Sequence, residues 1–220
     1  MLMILFHFTI YWGGYYSLGT NEYLLGHDVE KSFGHIYLGT ISYIKAFSLW
    51  NAGEEVKNRS VENKMKKGLN TERIAYSAIA VNEYELALEF SRRSQIIHSM
   101  LIGDYQKAKQ LVLALPDSPD ESKEIYYICD RFLKSIYLAI LEQNEVMFNE
   151  ELIKRIKKYR KKPLGYATYI DVVSISMIKF ARKLGINFYF NVIEIPPFFL
   201  DENNRVDQNI FQLPNIVKSS

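Results

Sequence analysis

The chain has 220 residues, 48% hydrophobic and 24% charged, the balance of a folded globular protein long enough to bury a sizeable core. Its 27 Lys and Arg against 25 Asp and Glu leave a net charge of +2, too little for a global field that draws nucleic acid, a membrane or an acidic substrate. The single cysteine, Cys129, excludes an intramolecular disulfide, and its apolar neighbours (IYYICDRF) fit a buried, inert thiol.

The apolar start, Met1 to Trp12, lacks a basic leader and a small-residue cleavage site and is too short to span a bilayer. It reads as a packed first helix of a cytoplasmic protein with no membrane partner. The Gly pair in YWGGY (11–15) reads as a helix break. Helical periodicity follows, with Phe33, Tyr37, Ile41, Ile44 and Phe47 as one stripe between an N-cap at Asp28 and a stop at Gly53. The polar run from Gly53 to Asn70 is a loop or solvated helix suited to facing a partner. Thr71 caps the next helix, in which Ile74, Ala78, Val81 and Leu88 are expected to face inward.

A helical hairpin comes next. Gln95 to Ile102 ends at Gly103, and Asp104 caps a helix with Tyr105, Ala108, Val112 and Leu115 on one face. The grammar of IGDYQKAKQLVLALP, a tight Gly-Asp turn, an aromatic and then a small Ala, is that of tetratricopeptide-like hairpins. The linker Asp117 to Glu121 combines turn chemistry with carboxylates suited to a helix N-terminus. At an offset of 40, Ile97, Leu101, Asp104, Ala108 and Val112 line up with Tyr137, Leu141, Asn144, Phe148 and Leu152. Two such units fall short of a solenoid. The predicted fold is therefore all-α, a bundle of stacked antiparallel helical hairpins in one domain spanning 1–220.

The last helix carries Ile170, Val173, Met177, Phe180 and Leu184 at helical spacing and stops at Gly185. Ile186 to Ile195 is β-branched and aromatic, an extended segment or short strand. Pro196-Pro197 breaks it, and Phe198, Phe199 and Leu200 are expected to pin the tail to the core. Residues 202–220 turn polar, with a loosely ordered end expected.

Patterns for catalysis are missing. His27 and His35 stand two helical turns apart and no HExxH or CxxC occurs, so no metal is expected; His98 reads as a core histidine with a partner. There is no phosphate loop, no GxSxG and no sign of a cofactor. The pairs Glu54-Glu55 and Glu150-Glu151 point about 100° apart on a helix and read as solvated surface. The run Lys154 to Lys162 (KRIKKYRKK) holds seven cations in nine positions. It can meet phosphates, but Leu152, Ile156 and Tyr159 give the same helix a buried face, and cations suit a helix C-terminus; nucleic acid is not the expected partner.

The segment KSIYLAILEQNEVMFNEELIKRIKKYR, then YIDVVSISMIKFARKLGINFYFNVIEIPPFFLD, resembles the C-terminal part of bacterial polymorphic-toxin immunity proteins, immunity family 49 in particular. The likeness lies in the aromatic, Ala-containing helix ending in EQNE, the helix ending in basic residues, the ARKLGI helix end, and the extension closed by Pro and apolar residues before an acid. It covers residues 95–201; the N-terminal helices of 1–94 contribute little. It implies a non-catalytic protein that binds and neutralises a cognate toxin domain. On exposure and charge, the expected partner-binding residues are Glu54, Glu55, Asp117, Asp120, Glu121 and Glu124. The alternative is a helical-hairpin adaptor or regulator that holds a peptide or protein.

Overall fold

Helix ends, more than helix interiors, organise this chain. The computed structural model describes residues 14–51, 71–115, 133–160 and 170–213; among these the regular structure is helical, with no strand. They belong to two compact units, one drawing on 1–70, 165–168 and 203–220, the other on 71–164 and 169–202.

In the first unit, residues 14–24 form α1 and Val29–Asn51 form α2. Gly14 and Tyr15 are already helical, so the break expected at 11–15 does not extend to them. Asp28 caps α2 as expected, its carboxylate accepting from Lys31 N at 2.9 Å. Phe33 is buried as predicted, but the stripe of α2 continues through Ile36, Thr40 and Tyr43, with Tyr37, Ile41 and Ile44 only half-buried; the side chain of Phe47 and the stop at Gly53 lie outside what is described. The cause is close packing by small residues. A Cβ at Gly19 of α1 would stand 2.9 Å from Ser32 O, so the two backbones nearly touch there. Thr40 can then be buried because its hydroxyl donates to Ile36 O at 2.9 Å. Phe211 from the C-terminal segment lies against Gly34, where a side chain would collide with its ring.

In the second unit, Thr71–Ala80 (α3), Tyr84–Phe90 (α4), Gln95–Ile102 (α5), Tyr105–Leu113 (α6), Lys134–Leu141 (α7), Glu145–Arg160 (α8) and Val172–Lys183 (α9) pack on one another. Four of these helices end in the same way. A residue in the left-handed region, Asn82, Gly103, Gln143 or Gly185, is followed by an amide that reaches back five residues: Glu83 N to Ala78 O, Asp104 N to Ser99 O, Asn144 N to Ala139 O, Ile186 N to Ala181 O, all at 2.8–3.0 Å. This Schellman closure satisfies carbonyls that a helix end otherwise leaves bare. In two of the turns the next side chain caps the following helix: Asp104 accepts from Lys107 N and Asn144 from Met147 N. Leu88 was expected inside on a continuous helix; the closure at Asn82 redirects the chain, Ala87 and Phe90 take the buried positions, and Leu88 is 38% exposed.

The offset of 40 holds in three dimensions. Ile97 and Tyr137, Ala108 and Phe148, Val112 and Leu152 are all fully buried, while Leu101 and Leu141 are half-buried. Helix α9 is the centre. Every residue from Val172 to Ala181 is buried, so the helix meets solvent only at its end, through Arg182 and Lys183, and not along one face. Lys179, 1% exposed, is tolerated because its ammonium caps the end of α3, donating to Ile79 O and Ala80 O at 2.9 Å and to Asn82 Oδ1. Cationic donors suit exposed carbonyls at a helix C-terminus.

A candidate protein-binding edge along α8

The closing segment leaves α9 at Gly185 and runs along α8. Asn149 makes the key contact. Its side-chain Nδ2 donates to Asn187 O at 2.8 Å, and its Oδ1 accepts from Tyr189 N at 3.1 Å. One amide thereby bonds the carbonyl of one residue and the N–H two residues on, as a neighbouring parallel strand does. Glu145, one turn earlier, accepts from Asn187 N at 2.6 Å and from its side chain at 3.2 Å. Asn149 also donates to Glu145 O at 2.9 Å, which locks the amide in place.

At the far end Arg160 makes a two-point ion pair with Glu194, including Nη2 to Oε2 at 2.7 Å. Glu194 is buried, and its carbonyl accepts from Asp171 N at 2.9 Å at the start of α9. The carboxylate holds the already basic Arg160 guanidinium still more firmly protonated. The chain turns over residues 193–195, where Ile195 N donates to Val192 O at 3.1 Å, and this turn carries Glu194 to Arg160. Residues 186–192 therefore run along α8 without belonging to a sheet, and the extension predicted for Ile186 to Ile195 ends early, at this turn.

Between these anchors lies a cleft of about 240 Å³ lined by Ile153, Ile156, Lys157, Arg160, Phe190 and Val192. Beside it Tyr189, Phe190 and Ile193 are 62%, 48% and 49% exposed, an unusual run of large apolar side chains left in water. The basic run of α8 is partly turned inward. Arg155 donates to Asp171 at 3.1 Å and Ser174 at 3.2 Å, Arg160 holds Glu194, and Lys154 pairs with Glu151 at 2.6 Å. Leu152 and Ile156 supply the buried face as predicted; Tyr159's side chain, Lys161 and Lys162 lie outside what is described.

The carboxylates expected to meet a partner, Glu54, Glu55, Asp117, Asp120, Glu121 and Glu124, all lie outside the described residues, as do Cys129 and the apolar start. His98 has the partner expected, Ser91 Oγ at 3.2 Å from Nδ1. His27 takes a positive φ in an exposed turn. His35 is half-buried between Tyr15, stacked at 6.2 Å, and the edge of Phe211 at 5.8 Å. Its Nδ1 has no hydrogen-bond partner, and burial pushes its pKa down. Among the described residues no three His, Cys, Asp or Glu are grouped to hold a metal, and no helix is long and apolar enough to cross a membrane.

Sequence reasoning singled out the closing segment but treated it as a lock alone, and it missed Glu145 and Asn149. A signal existed. Asn is poorly placed in a helix interior unless its amide has a specific task, and Asn149 stands four residues after Glu145, on the same face.

No protein-family model matches the chain, and no match is found among curated proteins or among solved structures.

Proposed function

We propose that this chain is a non-catalytic protein-binding module that neutralises a cognate toxin domain by forming a stoichiometric complex with it. The observation that carries the binding role is the exposed run Tyr189, Phe190 and Ile193 beside an apolar cleft, on a main chain that α8 holds at Asn187 and Tyr189. Aromatic side chains fixed in place lose little entropy on docking and are the usual anchors of protein interfaces. The toxin-directed role rests on the resemblance of residues 95–201 to immunity family 49. Such a complex buries on the order of 1,600 Å².

Co-expression with the product of the gene immediately upstream tests this. Growth protection together with a co-eluting complex is expected. Failure of a toxin domain encoded there to co-elute, or growth arrest that the chain does not relieve, overturns the reading. The shared register of the α5–α6 and α7–α8 hairpins favours a second reading, a helical-hairpin adaptor for a peptide or protein; that protein binds its partner without any toxin-dependent growth effect.

A further inference from the structure

We infer that the outer edge of residues 187–192 receives an extended segment of the partner, which pairs with it as a β-strand. This rests on the protein-binding reading and names the chemistry of that site.

The argument starts from alternation. In extended chain the N–H and C=O of one residue point to one side and those of the next to the other. Asn187 and Tyr189 spend theirs on α8: Asn187 N on Glu145, Asn187 O and Tyr189 N on Asn149. The peptide groups of Phe188 and Phe190 therefore face away from α8. They make no hydrogen bond within the protein among the described residues, and Phe190 is half exposed. An edge of this kind is an open template for a further strand.

The template is also preformed. Glu145 and Asn149 hold its start and the Arg160–Glu194 pair anchors the turn that follows it, so a partner strand meets a chain tied down at both ends. Main-chain pairing gives such an addition its affinity, and side chains on alternating faces give it selectivity. Here both faces carry apolar groups. Tyr189 lies on one, and Phe190 and Val192 share the other with the cleft. On the cleft side the rim carries the exposed cation of Lys157, with Arg160 already paired to Glu194. The occupant that fits is an extended polypeptide alternating apolar residues with carboxylates.

The test uses a fluorescein-labelled octapeptide of alternating Val and Glu, at up to about 1 mM because a single added strand binds weakly. On the intact protein, amide hydrogen exchange at Phe188 and Phe190 is expected to slow by about tenfold on saturation, while Asn187 and Tyr189, already bonded to α8, do not change. Binding by anisotropy is expected to fall about tenfold further in Phe190→Pro than in Phe190→Ala, since both lose the ring and only proline loses the outward N–H. A Val–Lys peptide is expected to bind several-fold more weakly than Val–Glu. The inference is overturned if Phe188 and Phe190 exchange no more slowly with peptide, or if the alanine and proline variants bind alike. Should Phe190→Pro unfold, the exchange measurement on the unaltered protein decides. A negative peptide result alongside an intact complex with the upstream toxin domain overturns the edge and leaves the neutralising role standing; loss of that complex overturns the role itself.

Discussion

The closing segment contains two aromatic stretches with opposite fates. In Phe188-Tyr189-Phe190 two of the three rings stand largely in water, whereas in Pro197–Leu200, a short 3₁₀ turn, Phe199 is fully buried. Hydrophobicity does not separate them; the partners of their backbones do. Residues 187–189 are held by two side chains of α8, which fix the main chain outside the core, so that Tyr189 stays in water and Phe190 only lines an open cleft. The second stretch is drawn onto the end of α9 by bonds that place Phe199 inside: Arg182 Nη1 to Leu200 O and Asn82 Nδ2 to Asp201 O, each at 2.9 Å. Tyr84 adds a 2.7 Å bond to Glu202, with Lys183 lying 4.3 Å over its ring. One stretch closes the core and the other stays exposed.

This contrast can be broken by substitution. Phe199→Ala is expected to cost the most, about 3–5 kcal/mol, since it opens a cavity at a fully buried site; urea unfolding measures it, and a loss under about 1 kcal/mol would show that the tail is not part of the core. Asn149→Ala removes three hydrogen bonds and is expected to cost about 1–3 kcal/mol, while freeing residues 187–190 to exchange their amides faster. If exchange at Tyr189 is unchanged in that variant, the clamp is not what holds the segment. Tyr189→Ser is expected to leave stability within about 0.5 kcal/mol of the parent yet weaken partner binding measurably. A variant that binds normally would move the contact surface away from the aromatic run.

The smallest effect sharpens the comparison from outside the segment. His35 of the first unit is half-buried, with its Nδ1 out of water and unpaired, and this burial favours its neutral form. Its folded pKa is thus below the unfolded value of about 6.5, so its contribution is present above that pH and is lost as the pH falls through it, the unfolded chain taking up the proton first. Stability is expected to decline from pH 7 to pH 5, and less steeply in His35→Phe. Parallel pH profiles for the two proteins, followed by urea midpoints, would rule this out.

Much of the helical body was legible in residue order. Gly103 and Gly185 signal helix ends because glycine reaches the left-handed region without strain, and Asp28 and Asp104 signal starts because short acids bond the first free amides. The equal ends at Asn82 and Gln143 were hidden, since neither residue advertises a positive φ as glycine does. The stripe of α2 was misread because the helix packs through Ser32, Gly34 and Thr40, small residues that a hydrophobicity pattern passes over. The all-round burial of α9 was equally invisible: Ser174, Ser176 and Lys179 look like a solvent face until their partners, Asp171, Tyr76 O and the end of α3, are brought to them.

Residue order alone determined that this protein is helical, where several helices begin and end, and that its tail is extended and closed by prolines, because these follow from local torsional preference and capping over a few residues. Which aromatic stretch is buried, which cations of α8 turn inward, and that Asn149 serves as a substitute strand were decided only by the tertiary structure. Each depends on a partner between 16 and 119 positions away in the chain, brought near by packing that no local pattern records.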